Sequence, residues 1–190
     1  SLGYSRGDER LIRLNQLDYA VRIDQPGELL NDYHIARKYK PNASLDQAYV
    51  KNRHYLQDAV FTVALGSDDE EWMNEIEWAL RHPCYQPFLG RRSNPLTADF
   101  FIGTERKNVL ECLEDLEWQA SSWYRRKQKG EVRLPIYADA RLIEDSPRQM
   151  VKDRVISFSQ RERLHGYRAV GRKDIVLMQN EEEHDAFNAF

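Results

Sequence analysis

Several features that mark common classes of secreted, membrane and metal-binding proteins are missing from this sequence. It has only two cysteines, Cys84 and Cys112, and they form no Cys-x-x-Cys pair. The longest mostly apolar run, residues 59–65, is far too short to span a bilayer. The first residues show no charged-then-apolar leader. These absences predict a cytoplasmic protein with reduced cysteines, no membrane association and no structural zinc site.

The common sequence motifs of nucleotide and metal enzymes are absent as well. There is no Walker loop, no Gly-x-Gly-x-x-Gly, no Gly-x-Ser-x-Gly and no His-Glu-x-x-His. None of the five histidines lies in a predicted helix with another histidine or a carboxylate three or four residues away, as a helix-borne metal ligand would. The sequence therefore predicts neither a bound metal nor another cofactor.

Charge is present in both signs, but it is segregated along the chain. The net charge is −3, yet residues 33–55 carry five basic residues against the single acid Asp46. Residues 146–173 are also predominantly basic, and the acids concentrate in residues 68–77, 111–117 and 181–185. Because local potential rather than net charge steers a polyanion, this pattern predicts a basic face on a mildly acidic protein.

The most distinctive short stretch is residues 88–97, in which Arg91 and Arg92 stand between a glycine and a Ser-Asn-Pro turn. Gly90 permits a positive φ or a close backbone approach, and Pro95 fixes its own φ. Two guanidiniums beside a hydroxyl suit bidentate binding of phosphate oxygens. A solvated Arg-Arg turn is the alternative interpretation, since most surface charge runs are only solvated.

The order of the periodic segments predicts an α+β protein. Alternation over residues 19–23 indicates a strand, Pro26-Gly27 indicates a type II turn and hairpin, and residues 59–65 are apolar on both faces, which favours a central strand. A Ser67–Glu70 capping box opens one helix, and a second helix is expected near residue 104. Pro135 favours an edge position or a bulge for the strand that contains it.

Tyrosines interleave with cations in the basic insertion, and two histidines lie close to them. Aromatic rings beside basic groups suit single-stranded RNA, because bases stack on the rings while cations hold phosphates. His34 and His54, with Tyr33, could instead supply the acid and base of a metal-independent RNA cleavage. Ordinary packing of the tyrosines and surface exposure of the histidines are the alternatives that remain open.

Three blocks of the sequence resemble the CasD family: residues 32–34, residues 53–65 and residues 85–97. CasD is the CRISPR-associated RAMP-type subunit of the type I-E Cascade surveillance complex. The resemblance continues through residues 146–149 and the loop from Arg161. It implies a ferredoxin-like (RAMP/RRM-like) antiparallel sheet with two helices, a β-hairpin thumb insertion at about residues 33–55, and a C-terminal β-rich extension.

The domain division expected from the resemblance has three parts. Residues 1–103 would form the ferredoxin-like core with its thumb, residues 104–180 the second helix and C-terminal strands, and residues 181–190 a frayed tail. The chain is expected to begin near the end of the family's first helix, so it would lack the family's N-terminal strand. The strand left unpaired by that loss would be a dimerisation edge, which makes a homodimer of the truncated fragment one expected partner state.

The function implied by the resemblance is non-catalytic binding of the crRNA 5′ handle in antiviral defence, beside the Cascade backbone and large subunits. The residues expected to bind RNA are Arg37, Lys38, Arg53, Tyr55, Gly90, Arg91, Arg92, Ser93, Arg148, Arg161 and Arg163. In the related type I-C systems the equivalent subunit is a metal-independent endoribonuclease that processes CRISPR repeat RNA. The alternative function is therefore that activity, with Tyr33, His34 and His54 as its catalytic residues.

Two positions depart from the family pattern in the sequence blocks that carry the resemblance. Asn94 stands where cysteine is common, and asparagine can still make the turn. Ile35 stands where threonine is common, which weakens a role transferred to Tyr33-His34.

Overall fold

The computed structural model describes residues 2–159 and 161–179. Within them a short helix, α1 (Arg10–Arg13), and a 3₁₀ turn (Leu14–Gln16) precede the first strand. The strands are β1 (Asp18–Gln25), β2 (Glu28–Tyr39), β3 (Leu45–Gln57), β4 (Val60–Gly66), β5 (Gly130–Asp139), β6 (Gln149–Ser157) and β7 (Leu164–Gln179). The remaining helices are α2 (Glu70–Arg81), α3 (Val109–Asp115) and α4 (Ser122–Lys127).

Five strands form one sheet in the order β4-β1-β5-β7-β6, and β2 and β3 form a separate two-stranded sheet. β1 pairs antiparallel with β5, and β6 pairs antiparallel with β7. The predicted α+β class with a mainly antiparallel sheet is confirmed. α2 and α3 correspond to the two predicted core helices, and α1 and α4 are short helices of four and six residues.

The predicted thumb is a long hairpin formed by β2 and β3, which pair from Glu28 opposite Gln57 to Tyr39 opposite Leu45. Its tip closes through the backbone N–H of Lys40, which donates to the carbonyl of Ser44 at 2.9 Å. The segment after Pro26-Gly27 was expected to return along the first strand, and that expectation is wrong. Gly27 does adopt a positive φ of 74°, but β2 continues into β3 instead of pairing with β1.

The chain divides into two compact units. The first comprises the residues up to Arg22 with Val63–Glu117 and Arg133–Leu177, and the second comprises Ile23–Thr62 and Trp118–Val132 with the described end of the chain. The predicted boundaries at residues 103 and 180 stay predictions. The predicted frayed tail, residues 181–190, lies outside the described residues.

The first unit contains two buried apolar clusters. One joins α3 to β1 and β5 through Ala20, Val109, Leu113, Ile136 and Ala138. The other packs α2 against the chain before β1 through Leu17, Trp72 and Ile76. Each cluster contains the apolar stripe of an amphipathic helix, and this stripe produces the helical periodicity that the sequence shows.

The more buried face of β1 is the one that carries charge. Arg22 and Asp24 are each only 1% exposed, whereas Tyr19, Val21 and Ile23 are half-buried. The Arg22 guanidinium donates to the carbonyl oxygens of Leu113, Leu116 and Glu117, where α3 ends. A buried charge is tolerated because these backbone acceptors replace its hydration.

Asp24 is buried for a comparable reason in the second unit. Its carboxylate accepts from the Thr62 hydroxyl at 2.6 Å and from the Gln119 N–H at 3.0 Å. Its backbone carbonyl accepts from the indole N–H of Trp118 at 2.7 Å. The alternation of β1 predicted the strand, but long-range hydrogen bonds decide which face is buried.

The start of α2 differs from the predicted capping box. The N-cap is Asp69, whose carboxylate accepts from the Trp72 N–H at 3.0 Å, and not Ser67. The Ser67 hydroxyl instead accepts from the backbone N–H of Asp69 at 3.2 Å and orders the turn before the helix. An aspartate at this position also interacts favourably with the helix dipole. α3 begins later than predicted, after Asn108, whose side chain caps it.

Two strand positions correct the sequence-based expectations. β4 lies at the end of the described sheet, where Phe61 and Val63 are 45% and 50% exposed, so its predicted central position is wrong. β5, which contains Pro135, lies at the centre of the sheet rather than at an edge. The pairing of β5 with β1 runs from Ala138 to Ile136 and stops there, so the missing N–H of proline is not needed in that ladder.

No helix within residues 2–159 and 161–179 is long and apolar enough to cross a membrane.

Candidate nucleic-acid interface

The arginine loop, residues 88–97, is closed by its own backbone. Phe88 and Pro95 form a β-bridge, and the Leu89 N–H donates to the carbonyl of Asn94 at 2.8 Å. The Asn94 N–H in turn donates to the carbonyl of Arg91 at 2.9 Å. Asn94 therefore makes the turn that its sequence position predicts.

Gly90 is needed in this loop for its conformation and not for close contact. Its φ is +76°, and a Cβ built there meets none of the described atoms within 4 Å. The side chains of Arg91, Arg92 and Ser93 are all exposed. The loop thus presents two guanidiniums and a hydroxyl from a backbone that is fixed locally, which suits a phosphate clamp.

The register of the thumb assigns its side chains to two faces, because neighbouring residues in a strand point to opposite sides. The charged face carries Asp32 opposite Arg53 and His34 opposite Lys51, and Lys38 and Tyr55 lie on the same side. The other face carries exposed apolar side chains together with Arg37, His54 and Asn52. Those apolar side chains are Leu29, Tyr33, Ile35, Tyr39, Leu45, Val50 and Leu56.

Asp32, His34 and Arg53 form a cluster of hydrogen-bonded side chains on the charged face. The Nε2 atom of His34 lies 2.5 Å from the Asp32 carboxylate and 3.4 Å from the Arg53 guanidinium. One ring nitrogen cannot donate to Asp32 and accept from Arg53 at the same time. The shorter contact assigns the proton to Nε2, so His34 donates to Asp32 and Arg53 lies alongside the pair.

This register divides the residues proposed for catalysis. His34 lies on the charged face, whereas Tyr33 and His54 lie on the apolar face. The three side chains therefore cannot act together on one phosphate of a substrate bound to this hairpin. The RNA-binding candidates are also divided, since Arg37 lies on the side opposite to Lys38, Arg53 and Tyr55.

Arg148 lines a groove of about 730 Å³ in the first unit. The groove also contains Arg141, Arg154, Arg168, Tyr19 and Tyr167, none of which was predicted as a site residue. These residues come from separated parts of the sequence, so no local motif could have identified them. The basic composition of residues 146–173 was the one available signal.

Three of the residues that line the groove, Asp139, Asp153 and Arg168, form an ion-pair network. The Arg168 guanidinium makes two hydrogen bonds to Asp153, at 3.1 and 2.6 Å, and one to Asp139 at 2.7 Å. These partners, Asp153 first, hold the pKa of Arg168 above its usual value. The same guanidinium lies 5.0 Å from the centre of the Tyr19 ring, and burial raises the pKa of that tyrosine.

Arg161 and Arg163 lie in the loop between β6 and β7 and are exposed. The backbone N–H of Arg161 donates to the hydroxyl of Ser159 at 3.3 Å. Within residues 2–159 and 161–179, no group of three histidine, cysteine or acidic side chains is placed to hold a metal ion.

Comparison with known proteins decides the family. A family model described as "CRISPR-associated protein (Cas_Cas5)" matches residues 1–171. The chain belongs to this family. The match covers the arginine loop, the thumb and the groove, and it confirms the resemblance predicted from the sequence.

A curated relative of the Cas5-family chain is the "CRISPR system Cascade subunit CasD" of Escherichia coli (strain K12). The two are 42% identical over 118 residues, which is 54% of this chain and 53% of the relative. The chain therefore spans about half the length of the curated relative that it matches. A solved chain titled "CRISPR RNA-guided surveillance complex" superposes with a TM-score of 0.67 at 23% identity, covering 93% of this chain and 74% of that chain. At this identity the superposition supports the fold.

Proposed function

We propose that this chain is a non-catalytic RNA-binding subunit of a CRISPR Cascade surveillance complex, in which it holds the 5′ handle of the crRNA. The arginine loop is the observation that carries the proposal, since it exposes Arg91, Arg92 and Ser93 on a closed backbone in a member of the Cas5 family. Arg53, Tyr55 and Lys38 on the charged face of the thumb would add phosphate and base contacts, and Arg161 and Arg163 would add backbone contacts.

The experiment replaces both loop arginines by alanine and measures handle RNA binding over a range of salt concentrations. Each lost phosphate contact on a single strand should lower the slope of log K against log salt by about 0.7. The matched control is Arg125→Ala with Arg126→Ala, an exposed Arg-Arg pair in α4. Unchanged affinity and slope in the loop variant, relative to wild type, would show that the loop is not the clamp.

Protein partners and location follow as part of the same proposal. The neighbours of a handle-binding subunit would be the Cascade backbone and large subunits, and the complex would act in the cytoplasm in antiviral defence. The exposed edge strand β4 additionally predicts a homodimer of this chain on its own. Size-exclusion chromatography over a dilution series measures this directly, and a monomer at every concentration would contradict it.

The second candidate is a metal-independent endoribonuclease that processes CRISPR repeat RNA. The Asp32–His34–Arg53 cluster favours it, because a carboxylate that orients a histidine beside a cation is suited to general acid–base chemistry on a phosphodiester. Incubation with repeat RNA in EDTA should then give one cut with a 2′,3′-cyclic phosphate end.

The two faces of the thumb sharpen this test. If the cluster is catalytic, His34→Ala should abolish cleavage. His54→Ala, which changes the opposite face of the thumb, should leave the rate of cleavage unchanged. Absence of any cut by the wild-type protein rejects the endoribonuclease and leaves the non-catalytic function.

A further inference from the structure

The second unit carries a cluster of cations on α4 and directly after it. Arg125, Arg126, Lys127 and Lys129 are all exposed, and residues 118–130 contain no acid. None of the four forms an ion pair with another residue in the ranges 2–159 and 161–179. These four residues, called the α4 patch from here on, concentrate positive charge that the described surroundings leave unneutralised.

The helix that carries the α4 patch is anchored to the rest of its unit. The rings of Tyr124 and Trp118 meet edge to face with their centres 6.1 Å apart, and Trp118 is buried. Directly before the helix, the Ser121 hydroxyl donates to the side-chain oxygen of Gln25 at 2.8 Å. The patch therefore has a fixed position on this unit.

The position of the patch relative to the end of β7 follows from the pairing of β5 with β7, which are neighbours in the sheet. The Ala140 N–H, directly after β5, donates to the carbonyl of Ala169 at 3.0 Å. Further along the pair, the Arg172 guanidinium lies 5.9 Å from the centre of the Tyr137 ring. Residue numbers rise along β7 as they fall along β5, so the two strands are antiparallel.

This register brings the last strand of the described chain to the α4 patch. At the ends of the two strands it places Gln179, the last residue of β7, next to Gly130, the first residue of β5. Met178 accordingly belongs to the same compact unit as residues 118–132. Because Gly130 directly follows Lys129, β7 ends close to the patch and points toward the side from which residues 127–129 enter β5.

The sequence that follows β7 has the opposite charge. Residues 181–185 read Glu-Glu-Glu-His-Asp, which is four acids with no lysine or arginine. Five residues of extended chain reach about 17 Å, whereas the six residues of α4 extend only about 9 Å along its axis. A segment tethered this closely has an effective concentration on the order of millimolar at the patch.

We propose that the acidic segment at residues 181–185 docks on the α4 patch of the same chain and covers its positive charge. Four acids meet four cations, and the tether gives the segment an advantage over any untethered polyanion. RNA is the competing occupant, but the exposed Trp123 ring of α4 is already contacted by the Lys127 ammonium, 4.7 Å from its centre. The inference goes beyond the proposed RNA binding and does not depend on it.

The experiment treats the full chain, without RNA, with a carbodiimide, which joins a carboxylate to a lysine amine when the two are in contact. Peptide mass spectrometry then locates the joined residues. Lys127 and Lys129 should be joined to residues 181–185. The internal positive control is Lys173, whose ammonium lies 2.6 Å from the Glu114 carboxylate.

The negative control is Lys152, which is exposed on β6. β6 pairs with residues 164–170, at the beginning of β7, and the rest of that strand separates Lys152 from its end. At about 3.3 Å per residue this distance exceeds the reach of residues 181–185, so Lys152 should not be joined to them within one chain.

A pair of variants tests whether the charge of the patch directs the contact. Arg125→Ala with Arg126→Ala keeps both lysines and every acid, and should lower the yield at Lys127 and Lys129 about threefold or more, since each exposed ion pair contributes up to about 1 kcal/mol. Arg91→Ala with Arg92→Ala removes the same charge elsewhere and should leave the yield unchanged. Circular dichroism checks that both variants are folded.

The outcomes separate docking within the chain from its alternatives. Products at Lys127 and Lys129 in monomeric protein that fall in the α4 variant support the proposal. Products confined to a covalent dimer, an equal yield at Lys152 or an unchanged yield in the α4 variant would contradict it. Absence of these products while Lys173 is joined to Glu114 would also overturn it. Loss of handle binding in the arginine-loop variant bears on the proposed function alone, so the two failures can be told apart.

Discussion

The buried arginine of β1 gives the sharpest stability prediction. Arg22 is 1% exposed and donates to three carbonyl oxygens at the end of α3: Leu113, Leu116 at 2.6 Å and Glu117 at 2.8 Å. Arg22→Met keeps the length and removes every donor. The three carbonyls then lose their charged partner, while the apolar cluster that joins α3 to β1 and β5 remains.

The expected loss can be estimated from these contacts. A buried polar group left unsatisfied costs about 1 to 3 kcal/mol, and two of the three carbonyls are only partly buried. The free energy of unfolding should therefore fall by about 3 to 5 kcal/mol, a large fraction of the roughly 5 to 15 kcal/mol that stabilises a typical domain. For a chain of this size the melting temperature should drop by about 10 °C.

Urea unfolding followed by tryptophan fluorescence measures the change. Arg22→Lys keeps the charge but not the fork of donors, so it should fall between wild type and Arg22→Met. Arg126→Met, at an exposed position, is the control and should change stability by less than about 0.5 kcal/mol. A loss below about 1 kcal/mol for Arg22→Met would refute the reasoning, because it would mean that water or repacking satisfies the carbonyls.

Three further substitutions test local conformation and the dependence of stability on pH. Gly27→Ala should cost about 2 kcal/mol or more in chemical unfolding, since its φ is +74° and a Cβ would lie 2.6 Å from a backbone carbonyl oxygen of β3. Gly90 shares the positive φ, but its added Cβ would meet no described atom within 4 Å, so Gly90→Ala should cost about 1 kcal/mol. Equal losses in the free energy of unfolding for the two variants would contradict the importance of the close approach at Gly27. The hydrogen bond from the Trp72 N–H, above all, holds the pKa of Asp69 below its usual 3.8. The stability that the Asp69 carboxylate contributes is therefore fully present above pH 3.8, the pKa of an ordinary aspartate, and is lost as the pH falls through the lower pKa of the folded state. Asp69→Asn should therefore make the free energy of unfolding depend less on pH in this acidic range.

The arginine loop could be predicted in detail because its determinants are local. Glycine, proline and asparagine specify turn geometry through their own backbone preferences, so the sequence predicted either a positive φ or a close backbone approach at Gly90, and the structure has the positive φ. The same applies to α2 and α3, whose apolar stripes repeat with the helical period. Residue types at fixed spacing also carried the family resemblance.

The errors have a common cause, which is that pairing between distant strands is not encoded in a local pattern. The apolar segment at residues 59–65 favoured a central strand, yet β4 lies at the end of the described sheet. Pro135 favoured an edge position or a bulge, yet β5 lies at the centre of the sheet, and the proline is tolerated beside β1 because that ladder stops at Ile136. Neither outcome follows from the residues of the strand itself.

The amino-acid sequence by itself determined the class of fold, the basic segments and the arginine loop, because periodicity, turn chemistry and charge act over a few residues. Only the tertiary structure decided that Arg22 and Asp24 are buried, that His34 and His54 lie on opposite faces of the thumb, and that Arg148 shares a groove with Tyr167. Each of these depends on strand register or on contacts between residues far apart in the chain. Register and long-range packing arise from the whole fold, and a one-residue shift would exchange the two faces of the hairpin.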